Sequence, residues 1–185
     1  MQITLFDRDK TLCEQWEKDF SGYENIKVIQ TDFSELEPHD CIVSPANSFG
    51  LMDGGFDQVL SDYFTGIQES VQKRIKSFYS GMQPLGSCLL IKTFDEKFPY
   101  LAHIPTMLYP SDVSNSIHAF LAFKALLHTV EHYDEITSVA CCGLAYGTGG
   151  MSAYNVSKQM KIAYGTRHDD FNNWNDVQNL FAMLS

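Results

Sequence analysis

Basic residues are scarce in this sequence: 13 Lys and Arg stand against 23 Asp and Glu, a formal net charge of −10. That balance excludes a general nucleic-acid binder, which needs a basic surface to displace counterions. It does not exclude a small anionic ligand held by backbone N–H groups and a helix N-terminus, which add no formal charge. Long apolar runs are also missing, and none approaches the length of a membrane span. The start, MQITLFDRDK, alternates like a strand and lacks the basic start, apolar core and small-residue cleavage site of a secretory signal. A cytoplasmic, monomeric protein is expected. The five cysteines (Cys13, Cys41, Cys88, Cys141, Cys142) form no CxxC pair, and four lie in or beside strand-like runs. Buried reduced thiols are expected rather than a disulfide framework. With no repeat, low-complexity tract or linker, residues 1–185 read as one domain, and 44% hydrophobic content is enough for a core without staples.

Strands and helices alternate along the chain. ITLFD, IKVIQ, CIVS, SCLLIK, YLAHIPTM and ITSVACC are the strand candidates. Helical spacing appears after Asp9, with Leu12, Trp16 and Phe20 on one stripe, and from Phe56 to Tyr79 with a break at Gly66. It returns over 116–132, over 153–164 behind Ser152 as an N-cap, and over 174–184. This order predicts an α/β fold with a sheet covered on both faces.

Ligands in such sheets bind at the C-terminal ends of strands. Three strand ends here carry unusual chemistry: TDF (31–33), SPANSFGLMDGGFD (44–57) and GLAYGTGGMS (143–152). Two are glycine-rich, and each runs into a helix N-terminus, the plan of a site for a ligand with two phosphates. In the last, Gly147, Gly149 and Gly150 can turn successive N–H groups toward phosphate, with Thr148 adding a hydroxyl. It has neither the Lys-Ser/Thr ending of a P-loop nor GxGxxG spacing, and a plain turn is the alternative. Asn47 can donate to and accept from a sugar or a water; the plainer role is to support its turn. Asp57, at a helix start, is expected to be held ionised by the helix dipole and to serve as a base; the plainer role is a cap. Asp32 can accept from an exocyclic amine or simply cap a turn. HTVEH (128–132) matches an inverted zinc-protease pattern, but no third ligand is evident, and His103 reads as a satisfied strand histidine.

Taken together, the three loops resemble the macro domain, an ADP-ribose-binding α/β module. Its first signature resembles NAAN, about ten glycine-rich residues, then VD; here SPAN precedes SFGLMDGGFD with the same interval from Asn47 to Asp57. Its strand-end aspartate matches Asp32, and its second glycine loop matches GLAYGTGG. The flavour of these motifs is similar to a branch common in bacteria and phages, often described as Appr-1″-p processing proteins. The resemblance implies a three-layer α/β/α sandwich around a mixed, mostly parallel sheet. It implies ADP-ribose, or an ADP-ribosylated substrate, as ligand, with no cofactor and no metal. Asp32 would read the adenine amine and Phe33 would offer its N–H. Ala46 and Asn47 would meet the distal ribose. Gly54, Gly55 and Phe56 would line one side of the diphosphate, and Gly147, Thr148, Gly149, Gly150 and Met151 the other. Asn47 and Asp57 would position or activate a water near C1″, as in mono-ADP-ribosyl hydrolases or ADP-ribose 1″-phosphate phosphatases; a non-catalytic reader is the alternative. This sequence departs from the pattern at Ser44 and Pro45, has two glycines preceded by Met52 and Asp53 in place of four, and lacks a histidine shortly after Asp57.

Overall fold

The computed structural model describes residues 1–185. Six strands form one sheet: β1 (Gln2–Asp7), β2 (Ile26–Gln30), β3 (Cys41–Asn47), β4 (Leu89–Lys92), β5 (Tyr100–Met107) and β6 (Ser138–Cys141). Their order across the sheet is β2-β1-β6-β3-β5-β4. Every neighbouring pair is parallel except β4–β5. Helices α1 (Lys10–Phe20), α2 (Gly55–Tyr63), α3 (Ile67–Tyr79), α4 (His118–Val130), α5 (Ala153–Gly165) and α6 (Trp174–Leu184) cover it. The expected three-layer α/β/α sandwich with a mixed, mostly parallel sheet is what forms.

Local chemistry explains most boundaries. The Asp9 carboxylate accepts the Leu12 N–H at 3.1 Å, capping α1, and Leu12, Trp16 and Phe20 are all buried. Ser152 caps α5 by accepting from the Asn155 N–H at 3.2 Å. Gly66 divides α2 from α3 because it sits at φ 74°, a left-handed conformation that interrupts a helix. Two cores follow from the strict alternation of strand side chains. One face of the sheet packs Ile3, Leu5, Val43 and Ile104 against α1, α4 and α5. The other packs Phe6, Ile42 and Leu101 against α2 and α3.

One element differs from expectation in a way that shapes the site. The third strand does not stop at Ser44 but runs through Pro45, Ala46 and Asn47, paired to β5 up to Met107. Its other neighbour, β6, pairs only at Cys41 and Ile42. Pro45 has no N–H to give a ladder, and beyond Ile42 that edge asks for none. The short central strand therefore leaves a notch between β1 and β3 at the C-terminal edge of the sheet.

Candidate functional site

The notch opens into a cavity of about 600 Å³. Its walls come from five strand ends: Phe6–Arg8 at the end of β1, Thr31–Phe33 after β2, Pro45–Asn47 on β3, Thr106–Met107 on β5, and Cys142, Gly143 and Ala145–Gly149 after β6. The β3–α2 connection adds Leu51 and Asp53–Asp57. The two glycine loops face each other: a Cβ built on Gly55 would lie 3.9 Å from Thr148 Oγ1.

Both loops present unanswered donors. Gly54 caps α2 with no side chain, and the N–H groups of Gly55, Phe56 and Asp57 have no acceptor, since the first α2 bond is Gln58 N–H to Gly54 O. The N–H groups of Gly147, Thr148 and Gly149 are equally free. Two rows of N–H donors facing one cavity, one of them at the positive end of a helix, suit an anion with several oxygens. Formal charge contributes little. Arg8 is the single cation in the walls, against Asp7, Asp32, Asp53 and Asp57, and it is 80% exposed and 3.5 Å from Asp32.

Asp57 is the group whose chemistry is most altered. Only 7% exposed, it accepts from Ser44 Oγ at 2.6 Å through Oδ1, while Oδ2 has no partner. Burial pushes its carboxyl up to about 6, opposed by the Ser44 hydrogen bond and assisted by the nearby Asp53 charge. Its position at the start of α2 predicts a carboxylate held ionised by the helix dipole. Loss of solvent dominates instead, which brings the group near the working range of a general base. Asn47, 8% exposed, organises its own loop: Oδ1 accepts from Phe49 N–H (3.0 Å) and Leu51 N–H (3.3 Å), and Nδ2 donates to Leu51 O at 2.7 Å. The second Nδ2 proton makes no bond within the protein, so the turn-supporting role leaves one donor of this cavity-lining residue unused.

The family model described as "Macro-like domain" matches residues 32–184, from the strand-end aspartate through the last helix. The chain belongs to the Macro-like domain family. A protein of Aquifex aeolicus (strain VF5), described only as uncharacterized, is 32% identical over 127 residues, 69% of this chain and 73% of that one. Among solved structures, the macrodomain of Mycobacterium tuberculosis DarG superposes with a TM-score of 0.63 at 18% identity, covering 74% of this chain and 87% of the other. A variant of the Oceanobacillus iheyensis macrodomain, solved with ADPR, gives 0.57 at 15% identity, covering 79% and 84%.

Most residues singled out in the sequence line this macro-like cavity: Asp32, Phe33, Ala46, Asn47, Gly54, Gly55, Phe56, Asp57, Gly147, Thr148 and Gly149. Gly150 and Met151 do not. The Gly150 N–H bonds to Gly147 O and the Met151 N–H to Ala145 O, and the Met151 side chain is 1% exposed in the core. The tight turn at Ala145, itself at φ 58°, draws these donors inward. Gly149 has a structural duty as well, since a Cβ there would fall 2.5 Å from Ala145 O. Asp32 takes the plainer role weighed for it, Oδ1 capping the 3₁₀ turn Phe33–Glu35 by accepting from Ser34 N–H, and the residue also borders the cavity. The Phe33 ring stacks on Phe98 and meets Phe56 edge-on, and its backbone N–H has no acceptor in the protein.

Ser44, Asp53 and Arg8 carry chemistry here that the sequence reading did not assign. Only the SPAN departure pointed at Ser44, because its partner lies 13 positions away on another element. Away from the site, the His128 and His132 rings lie 4.7 Å apart between centroids and tilted by 57° on an exposed face, with no third His, Cys, Asp or Glu grouped with them. His103 is fully buried and lowered to about 3 by desolvation; Nδ1 meets Gln83 Oε1 at 2.7 Å, and Nε2 has no partner.

Proposed function

We propose that this chain binds ADP-ribose, or a close derivative, in the strand-end cavity and hydrolyses a bond at C1″ of the distal ribose. The observation that carries this is the pairing of two free N–H rows across one cavity with a buried carboxylate whose desolvation pushes it up to about 6. The diphosphate lies between Gly54–Phe56 and Gly147–Gly149, which supply hydrogen bonds without cations. The adenine sits toward Asp32 and the Phe33 N–H. The distal ribose lies at Ala46 and Asn47, oriented by the remaining Asn47 amide proton.

Asp57 Oδ2 then takes a proton from a water as the water oxygen bonds to C1″. The C1″–acceptor bond breaks with its electron pair, and the proton on Asp57 passes to the departing acceptor oxygen. Ser44 keeps Oδ1 fixed, so the basic oxygen is the one facing the cavity. No step calls on a metal, and turnover is expected to survive EDTA. A second reading, a binding module without turnover, is favoured by the extent to which the Asn47 amide is occupied in its own loop. The test is calorimetry with ADP-ribose, followed by product release from an ADP-ribosyl ester. At least micromolar affinity, roughly −8 kcal/mol, with release lost in Asp57→Ala supports the enzyme. Tight binding with no product supports the reader. No heat and no thermal shift would refute the site altogether.

A further inference from the structure

The C1″ end of the cavity is chemically unlike its diphosphate middle. Every backbone N–H from Ser48 to Met52 is already donated. Ser48 bonds to Met107 O and Leu108 O, Phe49 and Leu51 to Asn47 Oδ1, Gly50 to Asn47 O, and Met52 to Gln68 Oε1. The loop next to Asn47 therefore offers an incoming group no N–H row of the kind that faces the diphosphate. What it does offer is charge of the wrong sign for a phosphate: Asp53 and Asp57 line this side, while Arg8 is engaged with Asp32 at the ends of β1 and β2. The rest of the wall beside Asn47 is apolar, with Leu51, whose carbonyl Asn47 holds, and Met107, its partner on β5.

We propose that the pocket selects its substrate by charge at C1″, taking ADP-ribose derivatives with an uncharged 1″ substituent and excluding a 1″-phosphate, with Asp53 as the specificity-determining residue. The inference rests on the binding mode proposed above and decides between its two substrate classes. A phosphate at C1″ would bring up to two negative charges toward two carboxylates, one of them buried, beside a loop (Ser48–Met52) whose N–H groups are all donated. Like charges repel more strongly there than in water, and an anion stripped of water without hydrogen bonds is costly. An uncharged ester or ether oxygen meets neither cost, and an attached apolar group finds Leu51 and Met107 beside Asn47. Asp53 suits the role because it is exposed, makes no hydrogen bond and borders the cavity, so its charge is not needed to hold the loop.

The test titrates the full chain by calorimetry at pH 7.5 with ADP-ribose, ADP-ribose 1″-phosphate and 1″-O-methyl ADP-ribose, in wild type and Asp53→Asn. The 1″-phosphate is expected to bind roughly tenfold or more weaker than ADP-ribose, with the 1″-O-methyl compound close to ADP-ribose. In Asp53→Asn the gap should narrow several-fold through the 1″-phosphate alone, and it should also narrow in wild type at raised salt. A 1″-phosphate that binds as well as ADP-ribose, or a gap unmoved by Asp53→Asn, overturns the charge rule while leaving the ADP-ribose site standing. Failure of ADP-ribose itself to bind would overturn the parent reading, and this one with it.

Discussion

Replacing Asp57 with Asn should make the protein more stable and less active, and the stability gain should depend on pH. The carboxyl is nearly buried, and desolvation raises it from 3.8 to about 6. At about 1.4 kcal/mol per tenfold, keeping it ionised in the folded state costs about 3 kcal/mol, an upper bound. The folded-state value lies above the unfolded one. The group's favourable contribution is therefore complete below about pH 3.8 and is lost as pH rises through about 6. Asn has the same shape, carries no charge and can still accept from Ser44 Oγ. Relative to wild type, it should gain about 3 kcal/mol at pH 7 but only about 0.5 kcal/mol at pH 4, where the unfolded carboxyl is half protonated. The difference between the two pH values, about 2 kcal/mol, is the decisive quantity, because any fixed offset between Asn and protonated Asp cancels. Urea denaturation at both pH values measures it. An Asn variant that destabilises at pH 7, or stabilises equally at both, would refute the claim that burial dominates this residue. Such a cost retained in the native chain is what a functional carboxylate looks like.

Ser44→Ala removes the hydrogen bond that favours ionised Asp57, so the acid limb of the pH–rate profile should move upward by about one pH unit or more. Turnover would fall at pH 6–7 and recover near pH 9, whereas a shapeless loss at all pH values would mean that Ser44 only packs. Gly147→Val should abolish ADP-ribose binding with little change in melting temperature, because no protein atom lies within 4 Å of its Cβ. Gly149→Val should instead cost stability, since its Cβ would strike Ala145 O at 2.5 Å; equal melting temperatures for the two variants would contradict this. Asp32→Ala should weaken ADP-ribose by roughly 1–3 kcal/mol and narrow its advantage over the inosine counterpart, which calorimetry with both ligands reads directly.

Local signals settled much of this protein in advance. Asp9 and Ser152 are caps wherever the chain goes, because a side-chain oxygen two or three residues from a free N–H needs nothing distant to find it. Gly66 ends a helix by its own φ, and Trp174–Leu184 is legible from its period alone. The interval from Asn47 to Asp57 likewise placed both residues in one cavity. The tertiary structure decided what neighbours in space decide. Strand β3 extends through Pro45 because β5 continues beside it and β6 does not. Met151 faces the core and Gly149 presses on Ala145 because the second loop turns at Ala145, which no glycine count reveals. Asp57 is pushed up to about 6 because packing α2 on the sheet removes its water, a shift that the Ser44 hydrogen bond, formed by the same packing, only partly offsets. Caps, turns and periods act over a few residues, so sequence carries them; desolvation and side-chain pairing act between elements, and exist only once those elements have met.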